Sequence, residues 1–215
     1  MTGDGLSPGQ AARPTSLGGM TKGAKQAGAI VLARHGEPAL SRKARMNAAG
    51  YAAWWATYEE TGLLPGQIAP AGLIAHADKA GAIFSSTRLR SIETARVVAG
   101  DREVEAHPDL IEAPLPPPHW PRWIRFKPRI WGFISRFWWW WFNHHDGQES
   151  RAEAQARADL MAERLIERAE AGDNVLVIAH GFFNTMIRLA LQKRGWKLVE
   201  NQGFKYWSFS HLERA

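Results

Sequence analysis

Two apolar pentads bracket this chain, Ala29-Ile-Val-Leu-Ala33 near its start and Val175-Leu-Val-Ile-Ala179 near its end. The first runs into Arg34-His35-Gly36 and the second into His180-Gly181. An uninterrupted apolar run of this length is a strand covered on both faces, which calls for helices on both sides of a sheet. In open α/β sheets, ligands sit in the crevice outside the carboxyl ends of the strands. Arg34 and His35 at one strand end, and His180 at the other, would therefore emerge at a binding edge. Gly36 would allow a tight turn and a ligand close to the main chain. A histidine there can serve as nucleophile, base or metal ligand, and the fork of the arginine suits phosphate or carboxylate. The bland alternative is a strand that ends in polar residues.

With 215 residues the chain can bury a substantial core. It has no cysteine, which excludes a disulfide framework, a thiolate nucleophile and a thiolate metal site. The formal net charge of +6 favours anionic partners and singles out none. Residues 1–28, rich in Gly, Ser, Pro and Ala, read as a disordered leader. They lack the apolar central run of a secretory signal, so a cytoplasmic protein is expected, with its domain over 29–215.

Between the pentads, Tyr51, Trp54, Trp55 and Tyr58 recur at helical spacing and predict a helix over Asn47 to Glu60 with an aromatic core face. The basic run Ser41-Arg-Lys-Ala-Arg45 before it either lines an anion site or is solvated. Ala82-Ile-Phe84 reads as a second strand, with Ser85 and Ser86 suited to cap the next helix, whose apolar face is Leu89, Ile92, Ala95, Val98 and Ala99. Arg90 falls in the first turns, where the helix dipole disfavours a cation; an anion between it and the free amides would resolve the conflict. Glu103 to Ile111 should hold a strand, with Glu112 at its end before a proline-rich stop. Asp146 followed by Glu149 predicts the N-cap of a long helix to about Ala171, burying alanines together with Leu160, Met161, Leu165 and Ile166. Phe182 to Leu191 reads as a helix, and Phe204 to Ser210 alternates like an edge strand.

His119 to His145 is compositionally distinct. It holds Arg122, Arg125, Lys127, Arg129 and Arg136, no acidic residue, and aromatics throughout. Three readings compete: a lid or helix pair packed over the site, an interfacial helix touching a membrane, or a homodimer interface. The segment is too short and too charged to span a bilayer. His144-His145 beside Asp146 can ligate a metal or simply be solvated.

Collected, Arg34, His35, Arg90, Glu112 and His180 suit phosphoryl transfer. His35 would take the phosphoryl group onto a ring nitrogen. Arg34, Arg90, His180 and the amides at the helix start after Gly181 would hold its oxygens. Glu112 would protonate the leaving oxygen and then deprotonate the hydrolytic water. No step calls for a metal or a cofactor.

Three blocks, Arg34-His-Gly-Glu37, Ser85-Ser-Thr-Arg-Leu-Arg-Ser-Ile-Glu-Thr-Ala95 and Val177-Ile-Ala-His-Gly181, resemble the histidine phosphatase superfamily, also called the phosphoglycerate mutase-like family. The resemblance implies a three-layer α/β/α sandwich around a mostly parallel sheet. It implies His35 as the phosphorylated residue, with Arg34, Arg90, His180 and Gly181 at the phosphate. Glu112 matches the acid position of the phosphatase branch, although the glycine and tryptophan that often follow are absent; Glu37 is an alternative acid. Thr87 replaces a usual proline, and Pro38 a usual hydroxyl residue. The expected partner is a small phosphomonoester rather than nucleic acid. A phosphatase fits better than a mutase, whose additional loop motifs are missing; a noncatalytic phospholigand-binding or membrane-associated protein is the other alternative.

Overall fold

The computed structural model describes Met1 and residues 26–215. The leader expected over 1–28 lies almost wholly outside the described residues. Of its last residues, Ala27 packs against the core and the Gly28 N–H donates to the Ala169 carbonyl at 2.8 Å.

The pentads are strands β1 (Ile30–Arg34) and β4 (Val175–Ala179), paired in parallel with Arg34 level with Ala179. With β2 (Ala82–Ser86), β3 (Glu105–His107), β5 (Trp196–Asn201) and β6 (Phe209–Arg214) they form one sheet of order β3-β2-β4-β1-β6-β5. The pairings among β1, β2, β3 and β4 are parallel, and those of β6 with β1 and β5 are antiparallel. From β1 the chain crosses the sheet towards β2, and from β4 it crosses the other way. The crevice expected at such a switch point opens at the carboxyl ends of these two strands.

Side chains alternate across the central strands, as the pleat requires. Val31, Ala33, Leu176 and Ile178 pack on α2 (Ala71–Lys79) and α3 (Leu89–Ala99). Ile30, Leu32, Val175 and Val177 pack on α5 (Arg151–Glu170) and α6 (Gly181–Lys193). Each fully buried aliphatic side chain of this kind contributes about 1.5–3 kcal/mol. The result is the three-layer α/β/α sandwich. At its edge α1 (Ala48–Glu60) and α4 (Pro128–Phe142) form a separate aromatic cluster in which Tyr51 stacks on Trp131 at 6.0 Å between ring centres.

Several local expectations are corrected. The long helix α5 starts at Ser150, whose hydroxyl accepts from the Glu153 N–H while the Glu153 carboxylate accepts from Ser150. Asp146 (φ 49°) and Gly147 (φ 74°) lie in the left-handed region, which an N-cap does not occupy. The buried side of α5 presents the expected alanines, Ala154, Ala158, Ala162 and Ala169, with Met161 and Leu165, but Leu160 faces outward. Ser85 and Ser86 end β2 rather than cap α3, whose N-cap is Arg88, and Leu89 is exposed. β3 is only Glu105–His107, followed by a 3-10 turn at Pro108–Leu110, so Glu112 stands in a loop beyond that turn.

At the C-terminus the expected edge strand is displaced. Phe204 to Tyr206 lie in a loop, β6 begins at Phe209 inside the sheet, and the edge is β5. Of the histidine-rich loop, His144 Nε2 lies 3.1 Å from the Pro117 carbonyl and His145 Nδ1 lies 2.9 Å from that of Gln148. Among the described residues, no group of three or more His, Asp or Glu side chains converges as a metal-ligand set.

Candidate active site

Parallel pairing of β1 and β4 brings their terminal residues together: the His35 N–H donates to the Ala179 carbonyl at 3.0 Å, and the rings of His35 and His180 lie 5.1 Å apart. Both imidazoles are buried. His35 Nδ1 lies 2.7 Å from its neighbour's carbonyl, that of Gly36. A carbonyl only accepts, so Nδ1 carries the proton and the lone pair is on Nε2. His180 is held in the same way: Nε2 faces Ser86 Oγ at 2.9 Å, while Nδ1 faces an Arg90 nitrogen, which only donates, at 3.3 Å.

Arg90 joins the two histidines. Its Nε reaches His35 Nε2 at 3.4 Å and its Nη2 reaches His180 Nδ1. Its charge is buried rather than solvated. The side chain turns to the carboxyl end of α1, where Nη1 donates to the Tyr58 carbonyl at 2.8 Å and to that of Glu59 at 3.2 Å. Its Nη2 also pairs with the Glu59 carboxylate at 2.8 Å. The unsatisfied carbonyls and negative dipole end of a helix are where a cation is favoured. The Tyr58 ring lies 4.5 Å below the guanidinium.

Arg34 projects beside them. Its Nη1 donates to the Phe204 carbonyl, its guanidinium lies 4.4 Å over the Tyr206 ring, and its Nε is buried with no partner. Arg42, from the basic run before α1, stacks on the same aromatics, 5.3 Å from Tyr58 and 5.4 Å from Tyr206, and its Nε is likewise buried and unpartnered. Buried guanidinium donors left open in this way suit an anion. Burial above all, and then the charge of Arg90, push the pKa of both His35 and His180 well below the usual histidine value, so both rings are neutral at physiological pH.

The glycines act differently from expectation. The space beside Gly36 is filled by protein rather than left for a ligand: a Cβ there would lie 2.4 Å from the Trp207 indole. At Gly181 a Cβ would lie 3.2 Å from Arg34 Cδ, so this glycine makes room for the arginine. The amides of Phe182 and Phe183 at the start of α6 do not stand free for phosphate. They donate to Glu112, at 3.4 Å and 2.9 Å. Glu112 is buried beside α6, with Arg136 of α4 3.8 Å away, whereas Glu37 is exposed. The loop carrying Glu112 is fixed by Arg157 of α5, which donates to the Asp109 and Ile111 carbonyls at 2.7 and 2.9 Å and forks onto Glu149.

Arg34, His35, Arg90, Glu112, His180 and Gly181 thus lie at one sheet edge. Tyr58 reads from the sequence only as part of an aromatic core face and Tyr206 only as part of an alternating stretch; Glu59 has no local signal, and Arg42 only the basic run. Arg34 and Phe204 are 170 residues apart, a separation no local pattern bridges.

The sequence model of the histidine phosphatase superfamily (branch 1) matches residues 30–215. The chain belongs to that family. Its enzyme type is accordingly phosphoglycerate mutase-like. No curated protein matches the sequence. Among solved structures, a phosphoglycerate mutase from Bacillus anthracis superposes with a TM-score of 0.56 at 19% identity, over 89% of this chain and 90% of that one. A mycobacterial hydrolase gives 0.54 at 22% identity, over 87% and 89%. A phosphoserine phosphatase from Entamoeba histolytica, in complex with phosphoserine, gives 0.51 at 15% identity, over 85% and 89%. At these identities the likeness is one of fold, and it establishes the phosphoglycerate mutase-like sandwich for this histidine phosphatase family member.

Proposed function

We propose that this chain hydrolyses phosphate monoesters through a phosphohistidine on His35. The observation that carries the reading is the His35 ring itself. Its proton is committed to the Gly36 carbonyl, its Nε2 lone pair faces Arg90 Nε at 3.4 Å, and the guanidinium groups of Arg34 and Arg42 stack on the neighbouring Tyr206 ring. A neutral nitrogen facing cationic donors is poised for attack on phosphorus.

In the first step Nε2 forms a bond to phosphorus as the ester P–O bond breaks, and Glu112 gives its proton to the leaving oxygen. Arg34 and Arg90, joined by the His180 N–H when it leaves Ser86, hold the three equatorial oxygens and the charge that develops on them. In the second step Glu112 takes a proton from water as the water oxygen bonds to phosphorus. The P–N bond breaks, and inorganic phosphate leaves with His35 neutral again.

The test is turnover of an aryl phosphate in the presence of chelator, native chain beside His35→Ala, together with transfer of a radiolabelled phosphoryl group to the protein. The expected result is chelator-resistant turnover and an acid-labile protein phosphate, both lost in His35→Ala. Native-rate turnover by that variant would overturn the assignment.

A further inference from the structure

Helix α4 is apolar on two sides. Pro128, Trp131, Gly132, Ser135 and Trp139 face inward, with the Trp131 and Trp139 indole N–H groups donating to the Met46 and Glu149 carbonyls at 2.7 and 3.0 Å. The opposite side carries Ile130, Phe133, Phe137 and Trp141 at spacings of three and four, one stripe of the helix surface. These are exposed: Phe133 by 71%, Trp141 by 69%, and Phe142 beside them by 64%. Trp123, in the loop leading to the helix, is 80% exposed. A contiguous row of bare aromatics marks an interaction surface.

The charges around the stripe say what covers it. The segment preceding α4 is bridged to the segment preceding α1 through Met46 and Phe126, and Arg125 donates to the Arg45 carbonyl at 3.2 Å. Lys43, Arg45, Arg122, Arg125 and Lys127 are all exposed on these two segments, as is Arg129 in the first turn of α4. Neither 38–58 nor 113–145 contains an acidic residue. A second copy seated on this face about a two-fold axis would oppose arginine to arginine. A helix apolar on two opposite sides that is too short to cross a bilayer, with tryptophans and a basic rim, is the composition of an element lying in the headgroup boundary. Among the described residues no helix is long and apolar enough to cross a membrane.

We propose that the outer stripe of α4 and its basic rim dock this protein onto an anionic membrane surface. Phe133, Phe137 and Trp141 enter the acyl boundary, and Lys43, Arg45, Arg125 and Arg129 meet the headgroup phosphates. The inference is independent of the catalytic reading, because none of these residues belongs to the His35 site.

The test is co-sedimentation of the full chain with vesicles of phosphatidylcholine alone and with about a third phosphatidylserine, at low and high salt. The variants are the triple Phe133→Ser/Phe137→Ser/Trp141→Ser and the charge pair Arg125→Glu/Arg129→Glu, each checked for native circular dichroism. Binding is expected to the anionic vesicles, weakened by salt, at least tenfold weaker in the triple variant and likewise in the charge pair, since each basic residue contributes about fivefold near such a surface. Absence of binding to anionic vesicles, or binding unchanged in both variants, would overturn the proposal. So would a native dimer by light scattering that the triple variant splits, which would make the stripe a self-association face.

Discussion

The Nε of Arg90 stands 3.4 Å from the Nε2 of His35, and the same guanidinium reaches His180 and closes the end of α1 through Tyr58 and Glu59. One cation therefore aligns the proposed nucleophile and anchors a helix. Arg90→Ala should lower kcat/KM by roughly 10²–10³. It should also reduce unfolding free energy by about 1–3 kcal/mol, because the carbonyls at the end of α1 lose their buried donor while Glu59 keeps Arg88 as a partner. Arg90→Lys should recover little, since a single ammonium cannot serve two rings and two carbonyls. Denaturant titration beside steady-state kinetics separates the two effects.

The depressed histidines give stability a pH dependence of definite sign. Below about 6.5, the ordinary histidine value, an unfolded chain binds protons that folded His35 and His180 refuse, so stability is complete above that pH and lost as pH falls below it. The slope contributed by two such groups approaches about 2.7 kcal/mol per pH unit. Urea melts from pH 7.5 to 5 should show it, and a His35→Asn/His180→Asn variant should flatten it. The acid limb of kcat/KM should not be that of a histidine of ordinary pKa, because His35 stays neutral through this range.

Glu112 accepts from two amides of α6, which fixes its carboxylate at the sheet edge. Glu112→Gln keeps those acceptor contacts in part and removes the proton transfer proposed for Glu112. Turnover of an alkyl phosphate should fall by about 10²–10⁴, and that of a nitrophenyl phosphate, whose leaving group needs no proton, much less. Equal losses on both substrates would assign Glu112 a purely structural role.

Arg157 positions Glu112 at one remove, through the Asp109 and Ile111 carbonyls. Arg157→Leu should lower kcat for the alkyl phosphate about tenfold with KM little changed. The loss should shrink for the nitrophenyl ester, a signature that general destabilisation would not produce.

Gly181 touches Arg34. The Cβ of Gly181→Ala would meet Arg34 Cδ at 3.2 Å, so the guanidinium must shift by a few tenths of an ångström. The KM for a phosphate ester should rise severalfold, and stability should change by less than about 1 kcal/mol. At Gly36 the neighbour is the indole of Trp207, and Gly36→Ala should lower stability by about 1–3 kcal/mol.

The sequence by itself determined the sandwich and most of the site, because the apolar pentads and the motifs at their ends are local patterns. A strand buried on both faces must be apolar at every position, and its parallel neighbour must end at the same edge, so His35 and His180 were bound to meet. Tertiary structure decided what surrounds them. The partner of Arg90 is the end of α1, and the neighbour of Arg34 is the loop at Phe204 to Tyr206. Alternation in that loop suggested a strand, but the sheet takes up the chain only at Phe209. The amides of α6 went to Glu112 because a buried carboxylate from a distant loop reaches them. Such contacts are fixed by where packed elements end, and the chain encodes that only through the whole fold.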